Sequence, residues 1–423
     1  MQKFYIFYTK LLCIWENCCI FAHFFGKHDT MFRRHRYYFL LFVLLLLVGC
    51  SEKNAPTPTS HRGQILKKEL VKTLSISDIE ALVGDSIDKS YLKYPVNCYR
   101  VFYSSVYEGD SITTAGLVLL PNDTLTADRR MCLYLHGTNW PIDKLAAQQK
   151  IPSNYFNNPR QSGGEVVTCG LPLASSGLAV MMPDYIGYGI TADREHPFIY
   201  YPELRHANID GLRALKNFLG RDGKQDVWLA GWSQGGGAAL SLHYYIQTYD
   251  SDEFTVQSSS CLAGPYNFEG QLTTILKNKE MAPPPTPLCT WSVYVLNRFA
   301  VHRNPDQIFT FTVTDQVSAM MNFVGNIWDC FRPYFVQGLL NGEDLEWIQA
   351  SKKNSFHDGW KPVGKVYLHH GTADNIVPYF NTRDAEAGLS AAGGDVTLYA
   401  YIGKSHFDVT PLYINNTLKD WGR

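Results

Sequence analysis

The chain has 423 residues, of which 45% are hydrophobic and 18% are charged, with 38 basic against 39 acidic side chains. This apolar content excludes a disordered chain, because so much apolar surface must be buried. The balanced charge argues against a nucleic-acid-binding protein, which needs a basic surplus to displace counterions from phosphates. Ten cysteines are too few for a disulfide scaffold. Length and composition therefore indicate a large globular protein of the size of an enzyme.

Residues 31–49 have the pattern of a signal peptide. Three arginines precede an apolar run over residues 37–49, which is shorter than the about 20 residues that a membrane-spanning helix needs. A run of this length is typical of the apolar core of a secretory signal. Because Met31 stands where such a signal should begin, we interpret it as the translation start and residues 1–30 as an extension of doubtful origin.

The signal ends in a cysteine. The segment Leu-Val-Gly-Cys at residues 47–50 resembles the lipobox of bacterial lipoproteins, in which cleavage leaves a cysteine that carries a lipid. The alternative is an ordinary secretory signal with a coincidental cysteine. The polar stretch that follows favours a flexible tether, to which we assign residues 50–75. The resemblance implies a lipidated Cys50 and an exported protein anchored in the bacterial outer membrane, on either its periplasmic or its surface face.

From residue 97 onward, predicted strands and helices alternate along the chain. Residues 97–121 read as a hairpin, because β-branched and aromatic runs flank a Glu-Gly-Asp turn at residues 108–110. Short apolar runs predict buried strands, and apolar spacing of three to four residues predicts helices. The later elements follow in chain order: strand 130–137, helix 164–176, strand 178–184, helix 201–219, strand 225–231, helix 235–249, strand 256–264, strand 364–369, helix 383–392, strand 395–402 and helix 411–421.

This alternation predicts an α/β fold, in which a mostly parallel central sheet has helices on both faces. Residues 266–362 interrupt the alternation, since they contain a run of three prolines, many aromatic residues and no strand–helix rhythm. We interpret them as an inserted, mostly helical cap. The predicted core then comprises residues 76–265 and 363–423.

The sequence GWSQG at residues 231–235 follows a predicted strand and precedes a helix that begins with small residues. A G-x-S-x-G motif needs this context, because small flanking residues let strand and helix approach closely and raise the serine above the sheet edge. We therefore take Ser233 as the candidate nucleophile and the backbone N–H of Gln234 as a candidate oxyanion-hole donor. The alternative is a glycine-rich turn with an incidental serine.

A serine hydroxyl needs a general base, and the base needs an acid that orients it. In the chain order Ser…Asp…His, Asp374 follows one predicted strand and His406 follows the next. Loops after parallel strands meet at one edge of a sheet, so these positions predict a catalytic triad of Ser233, Asp374 and His406. Asp408 and Asp184 are alternative acids. Four other histidines are interpreted as structural or supporting residues: His206, His243, His369 and His370.

A second oxyanion donor is expected from the His-Gly-Thr segment at residues 136–138, and the backbone N–H of Thr138 is the candidate. We expect His136, Gly137 and Tyr185 to form part of the pocket wall, with His136 bracing the loop rather than transferring protons. The chain has no H-E-x-x-H, C-x-x-C, Walker or G-x-G-x-x-G motif, so we predict no cofactor and no metal site.

Taken together, the motifs HGT, PDYIGYG, GWSQGG, HGTADNIVP and GKSH resemble those of the α/β-hydrolase superfamily. The leading hairpin followed by these motifs is similar to the secretory lipase family of that superfamily, here in a bacterial lipoprotein form. The resemblance spans about residues 99–421 and leaves the cap unaligned. It implies hydrolysis of a small-molecule or lipid carboxylic ester through an acyl-enzyme, by the triad and the oxyanion donors named above.

Two other functions are open on the sequence alone. A peptidase of the same fold needs an acidic anchor for the substrate amine, for which Glu343, Asp344 and Glu346 in the cap are candidates. A non-catalytic surface binding lipoprotein, built on an inactive hydrolase, is the alternative from another class. No protein partner is assigned. Among the cysteines, we expect Cys289 and Cys330 to pair.

Overall fold

The computed structural model describes residues 61–123, 129–140, 151–157, 164–278 and 285–423. The N-terminal extension, the predicted signal peptide 31–49 and Cys50 lie outside these residues. Within the described ranges, no helix is both long and apolar enough to cross a membrane.

Nine strands of the described chain join in one sheet. They are, in chain order, β1 (Ile65–Leu74), β2 (Val96–Tyr107), β3 (Asp110–Pro121), β4 (Met131–Leu135), β5 (Ala179–Pro183), β6 (Gln225–Trp232), β7 (Phe254–Leu262), β8 (Lys365–Gly371) and β9 (Asp395–Tyr401). Their order across the sheet is β1-β2-β3-β5-β4-β6-β7-β8-β9. β1, β2 and β3 pair antiparallel, and β3 also pairs antiparallel with β5. The remaining pairs, from β5 through β4 and β6 to β9, are all parallel.

The helices begin where their sequences supply suitable caps. Ser75 and Asp78 form a capping box at the start of the first helix, and Pro202 stands in the first turn of the third, where its missing N–H costs no hydrogen bond. The described α-helices are, in chain order, α1 (Ile76–Val83), α2 (Leu171–Ser175), α3 (Tyr201–Phe218), α4 (Gln234–Tyr249), α5 (Phe268–Lys277), α6 (Thr286–Leu296), α7 (Gln316–Met321), α8 (Pro333–Leu340), α9 (Leu345–Lys353), α10 (Phe380–Ala391) and α11 (Thr410–Asp420).

Each face of the sheet has its own apolar core. Along β5, Met181 packs into one core while Val180 and Met182 pack into the other, because successive side chains of a strand point to opposite faces. β4 and β5 are buried along their whole length, as parallel strands are when helices cover both faces. The predicted α/β fold, with a mostly parallel central sheet and helices on both faces, is confirmed.

The position of the first strand shows that the predicted boundary between the tether and the core, at residues 75 and 76, is wrong. Residues 65–74 lie in the predicted tether 50–75, but in the structure they form β1, which pairs antiparallel with β2. β1 is an edge strand rich in lysine, so its sequence lacks the apolar pattern of a buried strand. Just before it, Arg62 forms an ion pair with the buried Asp210 of α3 at 3.0 Å. The folded part therefore begins by residue 62 and not at residue 76.

The predicted cap, residues 266–362, is mostly helical and contains α5 to α9. Some of its aromatic side chains pack on one another, as Phe335 does on Trp347. Others join the cap to the rest of the chain. Trp291 of α6 stacks on Phe198, which precedes α3, with ring centres 3.9 Å apart.

The expected disulfide between Cys289 and Cys330 is not formed. All six cysteines of the described residues are free and buried. Burial raises the pKa of Cys289 to about 12 and that of Cys330 to about 11. The Cys330 thiol donates to the carbonyl O of Asn326 at 3.2 Å. Both thiols are therefore protonated at neutral pH and pack as small apolar side chains.

Candidate active site

The turn between β6 and α4 carries the candidate nucleophile. β6 ends at Trp232 and α4 begins at Gln234, so Ser233 alone makes the turn, with φ 57° and ψ −122°. A positive φ is strained for serine, and strain of this kind concentrates at functional sites. The Ser233 N–H donates to the carbonyl O of Leu262 in β7 at 2.8 Å. This is the sharp strand–helix turn that the G-x-S-x-G motif predicts.

Two glycines make the turn possible. A Cβ on Gly231 would overlap the backbone of Gly235, and a Cβ on Gly235 would overlap the carbonyl groups of Leu135 and His136. The serine turn therefore packs directly against the loop that follows β4, where the second oxyanion donor is predicted. A larger residue at position 235 would push these two parts of the site apart.

Asp374 and His406 are in direct contact. The Nδ1–H of His406 donates to Asp374 Oδ2 at 2.6 Å, and both side chains are buried. The other carboxylate oxygen, Oδ1, accepts from the N–H groups of Ile376 and Val377 at 2.8 and 2.9 Å. Because the carboxylate holds the proton on Nδ1, Nε2 is left as the basic nitrogen of His406. This is the arrangement of a general base that is oriented by an acid.

The charge of Asp374 is stabilised by its neighbours. Burial by itself raises the pKa of Asp374, but hydrogen bonds from His370 and His406 outweigh it and hold the pKa well below the usual range. His370 is fully buried at the end of β8, with Nε2 3.1 Å from Asp374 Oδ2. Its Nδ1 is hydrogen-bonded to the hydroxyl of Thr382 in α10. Asp374 is therefore ionised at neutral pH, and His370 has the supporting position expected for it.

His406 also lies beside the serine turn. Its ring packs against the ring of Trp232, the residue before Ser233, with ring centres 5.3 Å apart. Among the described residues, the hydrogen bond of His406 is the one to Asp374, and none joins His406 to Ser233. Nucleophile–base bonds are often long in a free enzyme and tighten when substrate binds.

The alternative acids have other partners. Asp408 is exposed and accepts a hydrogen bond at 2.6 Å from the hydroxyl of the serine that precedes His406. Asp184 is buried and accepts from the N–H of Ser153 at 2.8 Å. Neither carboxylate has a hydrogen bond to His406 in the described part of the chain. The geometry therefore selects Asp374.

The loop after β4 brings the second predicted donor to the serine. Thr138, Ser233 and Gln234 line the same small cavity. Behind this loop, the hydroxyl of Tyr185 donates to the carbonyl O of His136 at 2.8 Å, and the two rings lie 4.2 Å apart. Burial lowers the pKa of His136 to about 4, so its imidazole is neutral. The three residues predicted for the pocket wall do not line this cavity. His136 and Gly137 belong to the loop itself, and Tyr185 supports the loop through its hydrogen bond to His136.

Glu165 is a supporting residue that sequence reasoning missed. Its carboxylate accepts from the N–H of Gly137 at 2.8 Å and from the hydroxyl of Tyr134 at 2.7 Å. The Gly137 N–H is taken up in this way, and the predicted oxyanion donor, the N–H of Thr138, is the next N–H along the loop. A π-helical turn over Val166–Gly170 follows Glu165, an irregularity that is frequent at functional sites. The only sequence signal was a single acidic residue in an otherwise uncharged helical stretch.

His196 is a second residue that sequence reasoning missed. It is fully buried, and its Nδ1–H donates to the carbonyl O of Ile186 at 2.7 Å. Burial lowers the pKa of His196 to about 3, so the ring is neutral and Nε2 accepts from the side-chain amide of Gln234 at 2.6 Å. The contact fixes the side chain of the residue whose backbone N–H is the predicted oxyanion donor.

Metal-binding side chains do not cluster in the described ranges. No group of three or more histidine, cysteine, aspartate or glutamate side chains there could hold a metal ion. The histidines around the serine are hydrogen-bonded to protein groups, as His196 is to Gln234 and His370 is to Thr382.

Replacing Glu165 with glutamine is expected to change how stability depends on pH. Burial raises the pKa of Glu165 from 4.5 to about 7 in spite of its hydrogen bonds with Tyr134 and Gly137. Between these pH values the folded state keeps a proton that the unfolded state has released. The contribution of Glu165 to the free energy of unfolding therefore falls as the pH rises from about 4.5 to about 7.

Urea unfolding of the wild type and of Glu165→Gln across this pH range measures the effect. The free energy of unfolding of the wild type should fall relative to that of the variant as the pH rises, and the difference should level off above about pH 7. Parallel profiles for the two proteins would contradict the raised pKa.

The chain matches the model of one protein family. The model described as the alpha/beta hydrolase family matches residues 132–409, which is more than half of the chain. The chain therefore belongs to the alpha/beta hydrolase family. None of the curated proteins matches it in a sequence search.

Solved structures share the fold at low sequence identity. The rice cell wall degrading esterase LipA from Xanthomonas oryzae is 20% identical, with a TM-score of 0.71 over 86% of this chain and 100% of its own. Candida antarctica lipase A in its closed state is 15% identical, with a TM-score of 0.57 over 82% of this chain and 78% of its own. Both likenesses concern the fold.

Proposed function

We propose that the chain is a serine hydrolase that cleaves carboxylic esters, as an esterase or lipase does. The observation that carries the proposal is the 2.6 Å hydrogen bond between His406 and Asp374, beside the strained turn of Ser233. Membership in the alpha/beta hydrolase family supports it, as does the fold shared with an esterase and a lipase.

In this proposal, His406 Nε2 accepts the hydroxyl proton of Ser233 while Oγ attacks the ester carbonyl carbon. The negative charge that develops on the carbonyl oxygen is stabilised by the N–H groups of Gln234 and Thr138. The protonated His406 then donates its proton to the departing alcohol, and an acyl-enzyme remains. Water releases the acid in the same way, with His406 as base and then as acid, while the ionised Asp374 stabilises the imidazolium.

A peptidase on the same fold is less well supported by the cap. Two of the candidate amine anchors are already bound to Arg303. Both carboxylate oxygens of Asp344 accept hydrogen bonds from the Arg303 guanidinium, at 2.7 and 2.9 Å, and Glu346 Oε2 accepts a third at 3.1 Å. Two of the three carboxylates are therefore already paired with Arg303. None of the three lines the cavity at Ser233.

A substrate panel separates the candidate functions. We expect p-nitrophenyl acyl esters to be hydrolysed and aminoacyl-anilides to be left intact, and we expect a fluorophosphonate probe to label the wild type. Hydrolysis of anilides without esters would favour the peptidase. An unlabelled, inactive wild type would favour the binding lipoprotein.

We also propose that the chain is a lipoprotein held in the bacterial outer membrane through Cys50. The support is the apolar run at residues 37–49, the cysteine that ends it and the polar residues that follow. One lipid-modified cysteine would keep the catalytic part at the membrane surface without a transmembrane helix.

Replacing Cys50 with serine is expected to abolish lipid labelling, because serine has no thiol to carry the lipid. The measurement is incorporation of labelled palmitate in a Gram-negative host, followed by membrane fractionation. Cys330→Ser is the matched control, since its hydroxyl can still donate to the Asn326 carbonyl, and it should label like the wild type. Equal labelling of Cys50→Ser would contradict the anchor.

A further inference from the structure

A small cavity with mostly apolar walls lies beside Ser233. Its volume is about 30 Å³. A cavity measured in this way needs about 10–15 Å³ to hold one water molecule, and a methyl group is about the size of a water molecule. The space between the described residues therefore accepts a methyl or ethyl group and not a long chain. Gln271 also lines this cavity, which we call the acyl slot. Its apolar walls are formed by seven residues: Phe198, Ile199, Pro265, Leu288, Cys289, Ile376 and Val377.

The slot is placed where the acyl group of a bound ester must lie. Thr138 and Gln234, the predicted oxyanion donors, line it together with Ser233. A carbonyl group held by these two N–H groups and attacked by Ser233 has its alkyl group next to the apolar walls. The alcohol part leaves toward the proton donor, His406.

The first wall is braced by an aromatic stack. Phe198 lies parallel to Trp291 of the cap, with ring planes 7° and ring centres 3.9 Å apart. Both rings are buried, so Phe198 cannot turn away to lengthen the slot without breaking this contact. The cap contributes the facing side chains, Leu288 and Cys289, from α6.

The next wall residue has a strained backbone. Ile199 has φ 44°, which is a rare value for a β-branched residue. The fully buried Asn354 at the end of α9 holds this turn, since its Nδ2 donates to the carbonyl O of Ile199 at 2.8 Å and its Oδ1 accepts from the N–H of Tyr201 at 2.9 Å. A strained residue that a buried side chain holds in place points to a function for its position.

The opposite wall is tied to the catalytic acid. Ile376 and Val377 place their side chains on the slot, while their N–H groups hold Asp374 Oδ1. Moving this wall outward would also move the carboxylate that orients His406. The width of the slot is therefore fixed from both sides.

We propose that the acyl slot binds the acyl group of the substrate and limits it to two or three carbon atoms, so that the substrates are acetyl and propionyl esters. The inference rests on the proposed ester hydrolysis at Ser233. It concerns the size of the acyl group and not the identity of the alcohol.

The test is the kcat/KM of the full chain on p-nitrophenyl esters from acetate to dodecanoate. The wild type should be most active on acetate or propionate and at least tenfold less active on octanoate, since each methylene that a pocket cannot accept costs about tenfold or more. A wild type that prefers octanoate or longer esters would overturn the slot while leaving ester hydrolysis intact. A lack of activity on every ester would overturn the proposed function itself.

Two enlarging variants check that these walls set the limit. Leu288→Ala should raise the octanoate-to-acetate ratio of kcat/KM at least tenfold. Ile376→Ala should shift the ratio in the same direction, and its partly buried side chain makes it the safer variant for folding. Leu339→Ala is the matched control, because Leu339 is buried in the cap on α8 and away from the slot, and it should leave the ratio within about twofold. Unchanged ratios in both enlarging variants would overturn the assignment.

Discussion

Ser233→Ala is expected to lower kcat on p-nitrophenyl acetate by roughly 10⁴–10⁶. Alanine has no oxygen to attack the ester, and the base His406 then has no hydroxyl proton to accept. The turn should survive, because its hydrogen bond to Leu262 comes from the backbone N–H of residue 233. KM should change little, since the oxyanion donors and the acyl slot are retained. Steady-state kinetics measures both constants.

The matched control for this variant is Ser405→Ala. Ser405 lies next to His406 in the chain, but its hydroxyl donates to the exposed Asp408 at 2.6 Å. We expect this variant to keep kcat within about threefold, because Ser405 is only partly buried and its hydroxyl bonds to a surface carboxylate. A fluorophosphonate probe should label the wild type and Ser405→Ala and should not label Ser233→Ala. Normal activity in Ser233→Ala would show that another residue is the nucleophile.

Asp374→Asn is expected to lower kcat by about 10⁴, mainly through the tautomer of His406. The asparagine oxygen can keep the hydrogen bonds from the N–H groups of Ile376 and Val377, so the loop retains its shape. The amide NH₂ group then faces Nδ1 of His406 and drives its proton to Nε2, which can no longer accept a proton from Ser233. Asp408→Asn removes an exposed carboxylate two residues from His406 and should leave kcat nearly unchanged.

The variant Asp374→Asn also tests how the ionised Asp374 contributes to the stability of the protein. Because the pKa of Asp374 is lowered in the folded state, its contribution to the free energy of unfolding is present above the ordinary aspartate pKa and is lost as the pH falls through the lowered value. Urea unfolding at neutral pH should show that Asp374→Asn lowers the free energy of unfolding. At acidic pH the difference between the variant and the wild type should become smaller. A cost that is independent of pH would contradict an ionised Asp374 in the folded protein.

The features that could be predicted from the sequence are those whose signals lie within a short stretch of the chain. The serine turn at residues 231–235 was predictable because strand, tight turn and small-residue helix are neighbours in the chain. The strand β1 was missed because an edge strand exposes charged side chains and so lacks the apolar pattern of the buried strands. The Cys289–Cys330 pair was wrong, because sequence spacing does not tell whether two buried thiols face each other.

By itself, the sequence determined the α/β fold, the strand–turn–helix at Ser233 and the positions of Asp374 and His406 after successive strands, since local periodicity and turn chemistry encode these features. Only the tertiary structure decided that Glu165 takes up the Gly137 N–H, that His196 holds Gln234 and that Asn354 holds the strained Ile199. These contacts join residues 28, 38 and 155 positions apart, and they depend on how the cap and the loops pack over the sheet. The spacing of residues along the chain does not reveal such packing. The same packing also sets the width of the acyl slot.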